Sequence, residues 1–343
     1  SHVKKNHMIS IENFFESQLE TKKIEVNSYH HNIIKTNLLG KDLRPFALAD
    51  DGTIEGFFHT KFPLYGVMWH PERNFDTNNE LMLRKIFLLK QISFEWLNAI
   101  ILAAGQGTRL MPMTNDKPKC LVKLFGKSIL ERQIDVLQNC GISDITVVTG
   151  YKSESINISK IKKIHNNDFK TTNMLESFSC AFKKLSDSTI VSYGDIIFEK
   201  KILEKLIQSK DDISVVVDQN WEKYWKIRFD NPLSDAESLK LNDENYITSI
   251  GQNVKNSSEI QGQYIGLMKF QNNGILQVKK FYKNAKKDSK DNPNPLNPKI
   301  PFRQSYMTDL LHGLIKNNFK LKAVMVKNGW LELDSVYDYE LYQ

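Results

Sequence analysis

The run from Ala99 to Lys119, A-I-I-L-A-A-G-Q-G-T-R-L-M-P-M-T-N-D-K-P-K, restricts this chain more than any other stretch. Its apolar start, Ala99 to Ala104, lacks alternation and predicts a strand buried on both faces, as in a parallel sheet. Gly105 and Gly107 follow at once, where a backbone can turn tightly and bring its N–H groups close to a ligand. Arg109 offers a planar fork of donors suited to phosphate oxygens, and Lys119 a compact ammonium. Pro112 and Pro118 stiffen the loop between them, lowering the entropy of holding both cations in place. No Gly-Lys-Ser/Thr follows the glycines, and the third position of a G-x-G-x-x-G pattern is Leu110. Neither of the commonest phosphate-binding loops is present.

The run closely resembles the nucleotidyltransferase signature, L-A-A-G-x-G-T-R-L followed by P-K. That family transfers a nucleotidyl group from an NTP to a phosphorylated small molecule. The resemblance implies a Rossmann-like α/β domain with a mixed, mostly parallel sheet. It also implies nucleotide contacts from Leu102, Ala103, Ala104, Gly105, Gly107 and Thr108, with Arg109 and Lys119 as catalytic cations.

The length, 343 residues, suggests two domains with ample core. No apolar run approaches the ~18 residues of a membrane span, and the first residues, SHVKKNHMIS, lack the apolar stretch of a signal peptide. Cys120, Cys140 and Cys180 are odd in number and widely spaced, which argues against a disulfide framework or zinc site and for a reducing cytoplasm. The net charge of +7 is unevenly spread: residues 1–97 are balanced, while 279–299 hold seven Lys against two Asp. No basic face interleaved with aromatic readers is evident, so nucleic acid is not an expected partner.

Residues 1–90 carry a second resemblance. V-N-S-Y-H-H-N (26–32), F-A-L-A-D-D-G-T-I-E-G (46–56) and Y-G-V-M-W-H-P-E-R (65–73) look like class I glutamine amidotransferases of the gamma-glutamyl hydrolase branch. There the H-P-E segment supplies the His and Glu of a Cys-His-Glu triad, here His70 and Glu72. The nucleophile is missing, since the first cysteine is Cys120. An incomplete, hydrolytically inactive α/β domain is therefore expected, its missing half truncated, cleaved or supplied by another chain. His70 is then a relic or a surface residue. Asp51 to His59 reads as a hairpin pair, Glu80 to Leu89 as an amphipathic helix, and 91–97 as the linker to a transferase domain over 98–343.

Beyond Lys119, Ser128 and Glu131 form a capping box for a helix running to Cys140, with Gly141 as its stop. Residues 144–149 form a strand ending in Gly150. A helix begins near Asn173. In related transferases a similar turn lies beside the nucleobase, which makes Asn173 and Ser177, with Gly150, nucleotide-binding candidates; an ordinary helix cap at Asn173 followed by an exposed Ser177 is the equal alternative. Thr189 to Phe198 is a buried strand broken at Gly194-Asp195, where a carboxylate is costly unless it meets a cation or donors. By resemblance, Asp195 holds a catalytic Mg²⁺. The C-terminal W-L-E-L-D-S-V-Y-D-Y-E resembles the end of phosphocholine-type cytidylyltransferases, whose second metal carboxylate falls on Asp334; a helix cap by Asp334 is the rival reading.

Helices are read over 202–208 and 308–317, and strands over 213–218, 247–251 and 261–270. Ala323 to Leu333 reads as a hairpin-like pair, and 279–299 as a flexible lid or a disordered insertion. N-W-E-K-Y-W-K-I-R-F (220–229) mixes aromatic and basic residues. Trp221, Tyr224 and Trp225 could wall an acceptor pocket, with Lys226 or Arg228 on its phosphate and Tyr264 as a further acceptor candidate; core packing is the alternative.

The resemblance thus implies a cytidylyltransferase with CTP, Mg²⁺ and a small phosphorylated acceptor. A glutamine-derived acceptor, as in capsule phosphoramidate synthesis, follows from the hydrolase-like half; phosphocholine, a sugar phosphate, or a silent regulatory module are the alternatives. A homo-oligomer or the missing hydrolase half are the protein partners considered.

Overall fold

The computed structural model describes residues 5–11, 23–40, 42–59, 64–70, 73 and 97–343. They divide into two units, Ser1–Trp96 and Leu97–Gln343. Glu72, the helix expected over 80–89 and the linker residues 91–96 lie outside the described residues. No helix among the described residues is long and apolar enough to cross a membrane.

The first unit is built on one antiparallel sheet of β1 (Lys5–Ile11), β2 (Lys23–Ser28), β3 (Ile34–Lys35), β4 (Leu43–Ala49), β5 (Thr53–His59) and β6 (Tyr65–Val67), in the order β2-β1-β4-β5-β3 with β6 also on β5. Asp51 and Gly52 form the turn between β4 and β5, and the rest of the D-G-T-I-E-G-F-F-H run is the single strand β5. Ile9, Ile11, Val26, Phe46, Ala47, Ala49 and Trp69 make its core.

In the second unit β7 (Leu97–Ala103) leads into β8 (Lys123–Leu124), β9 (Lys127–Ser128) and α1 (Ile129–Asn139). The capping box is formed: Ser128 Oγ accepts from Glu131 N at 3.2 Å and Glu131 Oε2 from Ser128 N at 2.8 Å. Gly141, at φ +82°, ends the helix. Then come β10 (Ile145–Thr149), β11 (Lys162–His165), α2 (Met174–Cys180), β12 (Ser188–Tyr193), β13 (Ile196–Phe198), α3 (Lys200–Gln208), β14 (Ile213–Asp218) and α4 (Trp221–Arg228). The remainder is β15 (Glu237–Leu241), β16 (Ile247–Asn253), β17 (Gln263–Gln271), α5 (Asn273–Asp288), α6 (Met307–Lys316), β18 (Lys322–Val326), β19 (Trp330–Glu332) and α7 (Val336–Leu341).

Seven strands form the central sheet in the order β11-β10-β7-β12-β17-β14-β18. All neighbouring pairs are parallel except the two that β17 makes, with β12 and β14. The mixed, mostly parallel sheet expected from the motif is present. The unbroken apolar character of β7 has its reason here. Ile100 and Leu102 join the core beneath α2, α5 and α6, while Ala99, Ile101 and Ala103 join the one beneath α1, α3 and α4. Each buried Ile or Leu in these layers contributes roughly 1.5–3 kcal/mol.

Two sequence expectations are corrected. Residues 279–299 are neither lid nor disordered insertion: α5 extends through Asp288 and buries Val278, Tyr282 and Ala285 on one face, and Asn294 Nδ2 is held by Ile300 O and Ser305 Oγ. Lys280, Lys283, Lys286 and Lys287, four of the lysines that suggested a solvated loop, occupy the helix's exposed face. Nor do β18 and β19 form a hairpin: β18 joins the central sheet beside β14, and β19 pairs antiparallel with β13.

Candidate active site

The motif loop leaves the carboxyl end of β7, where parallel α/β sheets bind their ligands. Leu102, Ala103 and Ala104 are buried at its exit, and Ala104 O accepts from Tyr151 N at 3.0 Å. Gly107 sits at φ +72°, and a Cβ there would stand 2.7 Å from Lys119 Cβ. Thr114 Oγ1 donates to Gly107 O at 2.9 Å. Thr108 and Arg109 open a short helical turn whose Leu110 is fully buried with Val122, Leu124, Ile129 and Leu333. That small core ties the loop to the C-terminal segment that carries Asp334. Gly105 has open space where a side chain would be, whereas Gly150 lies so close to Ala104 O that a Cβ would meet it at 2.5 Å.

Asp195 follows Gly194 in the break between β12 and β13. Gly194 N donates to Leu102 O at 2.9 Å, and Leu333 N to Asp195 O at 2.9 Å. Those two backbone bonds bring the C-terminal segment, β12 and β7 to one point. Lys119 Nζ there donates to Asp195 Oδ2 at 2.9 Å and to Asp334 Oδ1 at 2.5 Å. Arg109 Nη2 reaches Asp334 Oδ2 at 2.5 Å from a side chain that is otherwise largely exposed. Asp334 does not cap α7; Ser335 does, through its own box with Asp338.

Burial alone would lower the Lys119 pKa, but the carboxylates of Asp195, Asp334 and Glu332 outweigh it and hold the ammonium above the usual lysine range. Removal from water likewise drives Glu332 well above the carboxylate range, a rise that Arg228 opposes and Asp195 reinforces. Asp195 Oδ1 is buried without a hydrogen-bond partner. An anionic oxygen in that position is costly unless a cation meets it, and two carboxylates from different elements match Mg²⁺, which takes one or two protein carboxylates and completes its shell with water and phosphate oxygens. The residues present fit that ion. Among the described residues no group of three or more His, Cys, Asp or Glu is arranged to hold a metal.

The aromatic–basic segment lies elsewhere than expected. Trp221 and Trp225 are buried in the core, with Trp225 packed on Trp330 and its Nε1 donating to Asp235 Oδ2 at 3.1 Å. Arg228 is consumed internally: Nε and Nη2 engage Asp338 at 2.8 and 3.1 Å, and Nη1 engages Glu332 at 2.7 Å. Asp338 Oδ2 in turn accepts from the backbone N of Asp334 and of Ser335, both at 2.9 Å. Arg228 therefore braces the Asp334 segment rather than offering a free guanidinium to phosphate. Lys226 pairs with Glu222 on the outer face of α4. The periodicity that put Trp221, Trp225 and Arg228 on one face marked a packed helix.

Asn173 caps α2, its Oδ1 accepting from Met174 N at 2.8 Å, beside a hollow of about 220 Å³ lined by Lys170, Thr171, Thr172, Ile300, Gln304 and Tyr306. Ser177 is not the exposed residue of the alternative reading: it is buried, and its Oγ accepts from Asn166 Nδ2 at 3.0 Å. Its hydroxyl thus serves the fold, which removes the reason for assigning it to a base. In the first unit the His70 backbone is clasped by Asn27, with N–H to Oδ1 at 2.8 Å and Nδ2 to O at 2.7 Å, and its ring meets Tyr29 edge-on.

Sequence reasoning missed Glu332, whose carboxylate acts on Lys119 and is acted on by Asp195. Glu332 stands two residues before Asp334, and strand alternation puts such a pair on one side of the chain, so it was readable.

The MobA-like NTP transferase domain profile matches residues 99–244, and the Peptidase C26 profile matches residues 1–72. A CTP:phosphoglutamine cytidylyltransferase from Campylobacter jejuni subsp. jejuni is 38% identical over 257 residues, spanning 71% of this chain and 98% of that protein. A choline-phosphate cytidylyltransferase from Streptococcus pneumoniae is 33% identical over 117 residues, which is 33% of this chain and 51% of that protein. Among solved structures, the CTP:phosphocholine cytidylyltransferase of S. pneumoniae aligns with a TM-score of 0.54 at 21% identity, over 71% of this chain and 96% of that one. The inositol-1-phosphate CTP transferase of T. maritima aligns equally well, at 20% identity over 71% and 94%.

Proposed function

This chain belongs to the nucleotidyltransferase family that includes CTP:phosphoglutamine cytidylyltransferase, and we propose that it transfers CMP from CTP to a small phosphorylated acceptor, phosphoglutamine first among them. One geometric observation carries the reading. A motif lysine and two carboxylates from β12–β13 and the C-terminal segment converge within hydrogen-bond distance, with Asp195 Oδ1 left for a cation.

In this reaction an acceptor phosphate oxygen forms a bond to the α-phosphorus of CTP, the bond from that phosphorus to the bridging oxygen breaks, and pyrophosphate leaves. A phosphate monoester loses its second proton near ~6, so no general base is required, and the task is positioning and charge neutralisation. The Gly105–Gly107 backbone and Arg109 would hold the triphosphate. Lys119 stays protonated throughout, as its carboxylate neighbours ensure, and supplies positive charge to the leaving side. Asp195 and Asp334 would hold Mg²⁺, which screens the phosphate charges when bound. Arg109 and Lys119 address phosphates common to every NTP, so base selection falls to groups at Gly150 and Asn173.

For residues 1–97 we propose no hydrolase activity. No cysteine occurs there, and Cys120 is buried in the transferase core with its thiol pushed up to about 12 by burial. On the same reading the protein acts in the cytoplasm, in capsule synthesis.

Pyrophosphate release measured for CTP, UTP and dTTP with phosphoglutamine, phosphocholine and glucose 1-phosphate tests the assignment. A site that hydrogen-bonds the cytosine edge should favour CTP by up to ~10⁴. Equal rates with UTP or dTTP, or turnover of the sugar phosphate alone, would move the enzyme to sugar-nucleotide chemistry.

A further inference from the structure

The helix α1 buries Ile129, Leu130, Gln133, Ile134 and Leu137. Gln133, 1% exposed, is the one polar member of that face and takes a place where the helical period calls for an aliphatic side chain. A buried amide is costly unless its hydrogen bonds are made. Those of Gln133 converge on one spot. Nε2 donates to Tyr193 O at 2.8 Å and to Ile196 O at 2.7 Å, and Oε1 accepts from Ser192 Oγ at 2.9 Å.

The two carbonyls belong to the last residue of β12 and the first of β13, and the residues between them are Gly194 and Asp195. Gln133 thus spans the break that carries the carboxylate and grips it on both sides. The other backbone bonds of the break run to β7 and to the C-terminal segment, from Gly194 N to Leu102 O and from Leu333 N to Asp195 O. Ile129, one turn before Gln133 on the same side of α1, shares a small core with Leu333, the neighbour of Asp334. One helix therefore seats both acidic segments. The amide suits the task, because one nitrogen donates twice while the oxygen accepts, and no charge is added beside the carboxylates. A lysine or arginine in its place would compete with a cation for them.

We infer that Gln133 is a positioning residue for the divalent cation: by pinning Tyr193 O and Ile196 O it fixes the backbone that aims Asp195 Oδ1, the buried oxygen with no hydrogen-bond partner. It sets metal affinity through the chain, since both of its N–H donors are committed to carbonyls. This rests on the reading of Asp195 and Asp334 as the carboxylates that hold Mg²⁺. Groups that orient a metal ligand in this way change metal affinity by ~10–100-fold when they are removed.

Binding of Mn²⁺, a paramagnetic substitute for Mg²⁺, tests it. The free-ion resonance signal is read with nucleotide omitted, so that the ion partitions between protein and water alone. Gln133→Met keeps the bulk and removes all three bonds. It should weaken Mn²⁺ binding about 10- to 100-fold and raise the Mg²⁺ concentration for half-maximal turnover by the same factor, with the acceptor KM at saturating Mg²⁺ unchanged. Ser192→Ala spares both carbonyl bonds. It should weaken Mn²⁺ binding about 2- to 10-fold, the worth of one neutral hydrogen bond, and it carries the test if Gln133→Met does not fold. A Gln133 that serves stability alone would lower the melting temperature and leave Mn²⁺ affinity at the wild-type value in every folded variant. That result, with binding lost in Asp195→Asn, would overturn the role of Gln133 and leave the metal site standing. Undiminished Mn²⁺ binding in Asp195→Asn would instead remove Asp195 from the metal site, and this inference with it.

Discussion

A Cβ on Gly107 would lie 2.7 Å from the Cβ of Lys119, so the glycine and the lysine of the motif are in effect one object, packed back to back. The φ of +72° at Gly107 adds a second reason against any side chain. We predict that Gly107→Ala costs more than ~1 kcal/mol of stability and lowers turnover at least about tenfold, because the displaced Lys119 no longer bridges Asp195 and Asp334. Thermal unfolding and pyrophosphate release on the same preparation check this; full activity would mean that Lys119 has freedom that the packing denies.

Asp195→Asn and Asp334→Asn are each expected to lower turnover by about a thousandfold or more, ~4 kcal/mol of transition-state stabilisation, without unfolding the chain. The amide keeps the shape but removes the charge that would face both Lys119 and Mg²⁺. Chelation of divalent ions should silence the wild-type protein, and added Mg²⁺ should restore it. Substantial activity in either variant would strike that residue from the site.

Arg228 and Lys226 are two residues apart on one helix and should behave oppositely. Arg228 is buried against Asp338 and Glu332, and removing one member of such a pair costs ~3–5 kcal/mol. Arg228→Leu should therefore lower the melting temperature by about 10 °C. Lys226 pairs with Glu222 at the surface, where an ion pair is worth ~0–1 kcal/mol, so Lys226→Ala should melt within about 2 °C of wild type. A phosphate-binding Arg228 would give the reverse signature: a kinetic defect with normal stability.

The contrast also marks what was legible in advance. The strand, glycine loop and cations of 99–119 have tight local rules, as does the capping box of α1, and all could be read residue by residue. The destinations of Arg228 and Ser177 could not, because their partners lie far off in the chain: 110 residues away at Asp338 and 11 at Asn166. The lysine-rich stretch after Lys279 misled for a different reason. Its charges are the solvated face of a helix whose apolar face is thin, built on Val278, Tyr282 and Ala285.

The pairing of β13 with β19, described above as a small two-stranded sheet, has a consequence in time. Lys119 and Asp334 are separated by 215 residues, and at the ~5–20 residues per second of protein synthesis that interval lasts on the order of ten to forty seconds. Throughout it, the motif loop has left the ribosome before the partner of β13, and with it the second carboxylate, has been made. If Asp195 and Asp334 act together as proposed, nucleotide cannot recruit the folding of a nascent chain through the complete site, and a product of early termination upstream of Trp330 should be inert however well its central sheet assembles. On that reading catalytic competence arrives late and all at once, with the closing strand.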